Sequence, residues 1–338
     1  MKKLSTKLFV VLAAGIGLAI PASSSAQNYF MTANDANGTT TSFNGAGSWT
    51  SGAAPTAGFT YGTAGYLLRG PDVSGTYTFG GDSLTVGGGN GGGLNPFSPV
   101  TPGNNALIFK ADQETLNVAN LILDGGQIRD GNGNGNNAYL TGNISVTANG
   151  GAFMAQDTNW IESAISGSSI IYIGSNGSGN TQRQIIFTSG ANTFTGNLEM
   201  TNSVNNVTYS QLIFAPGSLW NFVIGANGVN NKIFGQGTIQ LNGNFAFDLT
   251  GADNTIGDTW DIVDQINSSV TYGSTFSING FTENGTLWDQ IANGVDYDYN
   301  TADGILTVDP VPEPATLSVI GLGLAGLVLR RQSKKSAQ

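Results

Sequence analysis

A short pattern returns along the middle of the chain at a pitch in the twenties, and it restricts the fold more than any other feature. An apolar residue is followed by a small polar one, a glycine, a further polar residue and a strand-like apolar run. It reads Leu140-Thr141-Gly142-Asn143-Ile144-Ser145-Val146, then Ile165-Ser166-Gly167-Ser168-Ser169-Ile170-Ile171. It returns as Phe194-Thr195-Gly196-Asn197-Leu198-Glu199-Met200 and as Leu241-Asn242-Gly243-Asn244-Phe245-Ala246-Phe247. The glycines step by 25, 29 and 47 residues, the last close to two steps. A unit this short cannot bury its own apolar face, so neighbours must stack into one continuous core. With strands this short the expected fold is all-β: a parallel β-helix, or β-solenoid, whose coils turn at Gly and Asn. Glycine takes a positive-φ corner without steric cost, and asparagine tolerates the left-handed region. An antiparallel sandwich with evenly spaced hairpins is the competing arrangement.

Composition supports strands over helices. The chain holds 50 glycines and only 10% charged residues. Apolar runs alternate with Gly/Asn clusters, which reads as many short strands and frequent turns. Cysteine is absent, so no disulfide holds the fold, but the chain is long enough to bury a core. The coils are expected over residues 107–257. Open ends of a stack need cover. Residues 27–106, with Trp49, Phe59, Tyr61 and Tyr66, are expected to form a β-rich N-terminal cap, with strands at 65–68, 76–79 and 83–86. Residues 258–310 are expected to close the other end, with Asp303-Gly304 as a hairpin turn.

Both termini look like delivery signals. Lys2, Lys3 and Lys7 precede an apolar run at 8–20, and Ser24-Ser25-Ala26 offers a small-residue cleavage site. Residues 1–26 therefore read as a secretory signal peptide with an N-terminal signal helix, cleaved between Ala26 and Gln27 after export by the Sec machinery. The other end runs Val311-Pro312-Glu313-Pro314, an apolar stretch at 316–329, Arg330-Arg331 and Lys334-Lys335. As a helix that stretch would be roughly 21 Å long, short of a bilayer core of about 30 Å. Gly321, Gly323 and Gly326 loosen it further, so it reads as a short transmembrane helix and a poor permanent anchor. The basic residues behind it would stay cytoplasmic.

Residues 311–338 resemble the PEP-CTERM sorting tail of Gram-negative bacteria. The resemblance implies that Pro312, Glu313 and Pro314, with Arg330 and Arg331, form the sorting motif. It also implies a membrane protease partner, exosortase, which processes the tail. The protein would be anchored transiently in the inner membrane and then reach the cell surface or the extracellular matrix. In the body, Ser189-Gly190-Ala191-Asn192-Thr193-Phe194-Thr195-Gly196 resembles the autotransporter-associated β-strand repeat. Leu121-Ile122-Leu123-Asp124-Gly125-Gly126 is similar to that family's preceding strand and turn, and the likeness covers about residues 107–309.

Without its ends the body keeps five basic residues, Arg69, Lys110, Arg129, Arg183 and Lys232, against 21 acidic ones, a net charge near −16. That excludes nucleic acid, whose phosphates need a basic footprint, and anionic membrane surfaces. It fits a soluble exported protein. There is no histidine and no cysteine, which removes Ser-His-Asp and Cys-His catalysis and the usual zinc sites. No catalytic residue is assigned and no cofactor is expected.

Calcium is the one metal with a sequence signal. Asp130-Gly131-Asn132-Gly133-Asn134-Gly135 matches the front half of a calcium loop through Asp130, Asn132 and Asn134, but Thr141 stands where the bidentate Glu belongs. A long polar turn is the plainer reading. Asp296, Asp298 and Asn300 share the spacing, but Tyr297 and Tyr299 between them mark an alternating strand. The expected role is structural or adhesive, within the envelope or an exopolysaccharide matrix, with extracellular polysaccharide as partner. Two alternatives remain: a polysaccharide-lyase-like β-helix using Asp124, Arg129, Asp130, Asp157 and Arg183, or a carbohydrate-binding β-sandwich stacking sugars on Trp260, Trp288 and Tyr297.

Overall fold

The computed structural model describes residues 27–87, 105–131, 137–175, 183–201 and 210–311, and these are all-β, without a helix. The expected signal segment at 1–26, the apolar tail at 316–329 and the asparagines Asn132 and Asn134 lie outside them. Among the described residues no helix is long and apolar enough to cross a membrane.

Two parallel sheets carry most of the chain. The path of the first runs through Gln27–Phe30, Phe59–Gly62, Ser83–Gly87, Glu114–Asp124, Asn137–Val146, Thr158–Ile161, Gln184–Phe187, Gln211–Phe214, Gly237–Leu241 and Ser268–Tyr272. The second runs through Leu67–Arg69, Ala106–Phe109, Gln127–Asp130, Gly151–Ala155, Ile171–Ser175, Leu198–Met200 and Ile233–Gly235. The chain alternates between them, so each strand lands beside the strand of the previous pass. Thr158 pairs with Gln184, Gln184 with Gln211, and Gln211 with Thr238, all parallel. These steps of 26, 27 and 27 residues match the pitch of the sequence pattern. Parallel pairing starts at Gln27–Phe30 and crosses residue 106 through Leu84↔Leu121, so the ladder includes the segment expected as a cap.

Alternation along each strand sends one set of side chains inward. On the first sheet Leu116, Leu140, Ile161, Phe187, Phe214 and Leu241 form one paired, buried column. On the second, Leu68, Leu107, Ile128, Phe153, Ile173 and Met200 do the same. The two columns meet in the interior, where Phe153 and Phe187 approach edge-on at 5.7 Å. Each such side chain contributes about 1.5–3 kcal/mol on burial, so the stack is held chiefly by its core.

The repeat glycines stand where one pass crosses closest over the last. A Cβ on Gly142, whose φ is +106°, would fall 1.9 Å from the carbonyl oxygen of Val118. A Cβ on Gly196 would fall 1.6 Å from the carbonyl oxygen of Ser169, although Gly196 is not among the positive-φ glycines. Gly196→Ala is therefore expected to cost about 1–3 kcal/mol by overpacking. An unchanged melting temperature would remove the close-approach argument.

Both ends of the ladder are covered. Trp49 packs edge-on against Tyr61 at 5.0 Å, and Phe43 lies 5.5 Å from Phe79. The outermost strand is shielded by Thr50, whose N–H donates to the Phe30 carbonyl at 2.8 Å and whose hydroxyl accepts from the Phe30 N–H at 3.0 Å. At the other end an antiparallel sheet forms from Thr259–Asp261, Ile305–Asp309, Val295–Asn300, Leu287–Ala292 and Thr282–Asn284. Its hairpin turns at Asp303 and Gly304, with Asn300 paired to Ile305. Among the described sheets only this one is antiparallel, because here successive strands are joined by short turns.

Candidate functional site

Turns from the second sheet back to the first form one corner of the stack, and charged side chains gather there. Lys110, Glu114, Asp130, Asp157 and Arg183 are all buried. The corner is built by handing bonds from pass to pass. Asp130 accepts the Asp157 N–H at 2.7 Å through Oδ2, and the Gln156 N–H through Oδ1. The Asp157 carbonyl accepts the Gln184 N–H at 2.6 Å, and the Arg183 carbonyl accepts the Gln211 N–H at 3.1 Å. One pass lower, Glu114 accepts the N–H groups of Lys110 at 2.6 Å and Ala111 at 3.1 Å, both through Oε2.

Burial sets the electrostatics of this corner. Desolvation pushes the Glu114 carboxyl up to about 7, against the pull of its two backbone N–H donors. Desolvation likewise pushes Asp130 up to about 6. Arg129 is brought down to about 10, by burial first and by the neighbouring Arg69 second. Its Nε is buried without a hydrogen-bond partner, and so is Nη1 of Arg183. Buried polar groups of this kind are costly.

The structure therefore divides the five residues proposed for a lyase. Asp130, Asp157 and Arg183 share the buried corner, and Arg129 adjoins Asp130. Asp124 ends the preceding strand, Glu114–Asp124, and accepts from Thr147 Oγ1 at 2.5 Å and Asn149 Nδ2 at 2.8 Å. The Asp130 carboxylate thus holds backbone N–H groups, and that of Asp124 holds side chains of a turn. For calcium, Asp130 occupies this corner while Asn132 and Asn134 lie outside the described residues. Among the described residues no group of three or more His, Cys, Asp or Glu is placed to hold a metal ion.

The aromatic platform expected in the closing sheet is corrected by burial. Trp260 and Tyr297 are wholly buried, and Trp288 is 8% exposed. Trp260 Nε1 donates to the Ala226 carbonyl at 2.9 Å, and the Tyr297 hydroxyl bonds Asn254 Oδ1 at 2.6 Å. Alternation along Val295–Asn300 turns Tyr297 and Tyr299 inward, and these rings fill a core. On the other face of that strand Asp298 stands opposite Asp289. Burial first, then a hydrogen bond with Asp309, raise Asp298 to about 6.

Sequence reasoning missed a different aromatic pair. Tyr139 and Trp160 are paired positions on adjacent strands of the first sheet, both partly exposed, with rings stacked at 6.1 Å and 14°. Each lies between inward-facing residues: Ala138 and Leu140, or Asn159 and Ile161. Their separation of 21 residues falls short of the 26- and 27-residue steps of the neighbouring pairs, so the repeat gave no signal for them. A shallow depression of about 280 Å³, lined by Val146, Thr147, Ala148, Ser168 and Ser169, offers no ionisable side chain.

The PEP-CTERM protein-sorting motif matches residues 310–332. That span contains Pro312, Glu313, Pro314, Arg330 and Arg331. The motif marks an exported protein with a membrane-associated sorting tail that exosortase processes. None of the curated proteins matches the chain.

Proposed function

We propose that this protein is a β-solenoid structural or adhesive element, delivered by its tail to the cell surface or the extracellular matrix, without catalytic activity and without a required cofactor. Its coils would occupy residues 107–257 and run on into the segment 27–106, with the antiparallel sheet of residues 258–310 closing the other end. Sec export would leave Gln27 at the mature terminus, and cutting of the tail by exosortase would release the body. The observation that carries the reading is the in-register parallel ladder, in which one pass of chain lies on the last. It is supported by the sorting motif and by the burial of Asp130, whose carboxylate is taken up by backbone N–H groups. The absence of histidine and cysteine also favours a non-enzymatic role. Such a rod would suit a matrix because its covered ends oppose uncontrolled end-to-end growth.

Replacing Pro312, Glu313 and Pro314 together by alanine is expected to leave a full-size precursor in the membrane fraction and none at the surface. Neutral replacements of Arg330 and Arg331 should do the same. Processing and surface delivery that continue unchanged would overturn the sorting half of the proposal. Release of unsaturated products from uronate polymers, followed by ultraviolet absorbance, would overturn the non-enzymatic half.

A further inference from the structure

The outer face of the first sheet differs in kind from the rest of the body. Two columns of side chains point away from the core. One holds Asn137, Thr158, Gln184, Gln211 and Thr238, aligned strand to strand. The other holds Tyr139, Trp160, Ile186, Ile213 and Gln240, in the same pairing. Neither column contains a charged residue, although the body as a whole carries a net charge near −16. Over these five consecutive strands the outer face therefore carries no charge.

The polar edges of the two rings are already engaged. Trp160 Nε1 donates to Asn137 Oδ1 at 3.3 Å, and the Tyr139 hydroxyl donates to Gln113 Oε1 at 3.4 Å. What the partly exposed rings still offer is carbon surface, and Ile213, also partly exposed, lies two strands on, beyond the buried Ile186. Beside them, Gln184 Nε2 donates to Gln211 Oε1 at 3.0 Å. Side-chain amides present both donors and acceptors, as hydroxyl-rich ligands require. Strands recur about every 4.8 Å along the stack, so an extended polymer lying along it meets similar groups again and again.

We infer that this face, centred on Tyr139 and Trp160, binds a neutral polysaccharide segment laid along the stack. Aromatic rings take the apolar face of a sugar, the amides take its hydroxyls, and the acidic surroundings disfavour anionic polymers. This deepens the adhesive reading and rests on the body standing outside the cell.

The test is affinity electrophoresis of the full-length protein in gels containing hydroxyethyl cellulose, galactomannan or carboxymethyl cellulose. Retardation is expected in at least one neutral polymer and not in the carboxymethylated one. Trp160→Ala should weaken it about tenfold, the loss of one aromatic anchor. Trp160→Phe should keep most of it, with melting temperature checked for both. Ile213→Lys, which puts a charge in the same column, should weaken it as well and decides the matter should Trp160→Ala fail to fold. No retardation in either neutral polymer, equal retardation in carboxymethyl cellulose, or binding untouched by both Trp160→Ala and Ile213→Lys would each overturn the inference. A protein that reaches the surface but is not retarded loses this site and keeps its proposed role. One that is retarded but never leaves the membrane does the reverse.

Discussion

Replacing Asn192 with alanine is expected to destabilise the folded chain by about 2–4 kcal/mol. Asn192 is buried at 2% exposure and touches three successive passes of the chain. Its Oδ1 accepts the Ile165 N–H at 2.8 Å from the pass before. Its Nδ2 donates to the Ser189 carbonyl at 3.1 Å in its own turn and to the Leu219 carbonyl at 3.0 Å in the pass after. Alanine takes this partner from the Ile165 N–H and the Leu219 carbonyl, at roughly 1–3 kcal/mol each before relaxation, while the Ser189 carbonyl keeps the Leu219 N–H at 3.0 Å. Asn143 is the control: it is exposed, and its one bond reaches the Ala119 carbonyl at 3.1 Å. Asn143→Ala should cost no more than about 1 kcal/mol. Urea denaturation of the two variants checks the difference, and equal midpoints would show that Asn192 does not clamp the coils.

Stability is also expected to fall as the pH rises from 5 to 8. The Glu114 carboxyl titrates at about 7 in the folded chain, against an ordinary value of 4.5. Asp130 titrates at about 6 against 3.8. The folded state thus binds more protons than the unfolded one between these limits, and stability declines with pH through that window. The contribution is complete below about pH 4, is lost on passing the folded values, and is gone above about pH 8. For Glu114 alone the loss is about 3 kcal/mol. Asp298, also raised to about 6, acts in the same direction on the closing sheet. Glu114→Gln keeps an acceptor for the Lys110 and Ala111 N–H groups and removes the buried charge. It should raise the melting temperature at pH 8 and flatten its dependence on pH. A melting temperature constant from pH 5 to 8 in the parent protein would show that Glu114 is not held protonated by its surroundings.

Much of the fold was legible because burial in stacked strands leaves a periodic trace. Gly142, Gly167, Gly196 and Gly243 were visible as a repeat, and the parallel ladder has the step that the repeat suggested. The physical reason was only half visible. Gly142 and Gly167 combine a positive φ with close approach to the Val118 and Val146 carbonyls. Gly196 and Gly243 are required by space, since a Cβ would meet the Ser169 carbonyl at 1.6 Å or Ser218 Oγ at 2.1 Å. The hairpin at Asp303 and Gly304 was legible from local turn chemistry alone.

The candidate chemistry was far less legible. Asp124 and Asp130 look equivalent in sequence, yet one ends a strand of the first sheet and holds a turn, and the other ends a strand of the second and is buried at the charged corner. Trp260, Tyr297 and Trp160 are all aromatic residues in strands, but the first two are wholly buried and the third faces outward. A shift of one residue reverses the face of every side chain in a strand. Composition cannot report that shift.

The sequence by itself determined the sorting motif, the all-β character and the step between paired strands, because each is written in local order: a motif, a composition and a period. Only the tertiary structure decided which side chains become neighbours. Passes differ in length, with 21 residues between Tyr139 and Trp160 and 27 between Gln184 and Gln211. Turn lengths set the register, and register alone brings two rings or two amides together on one face.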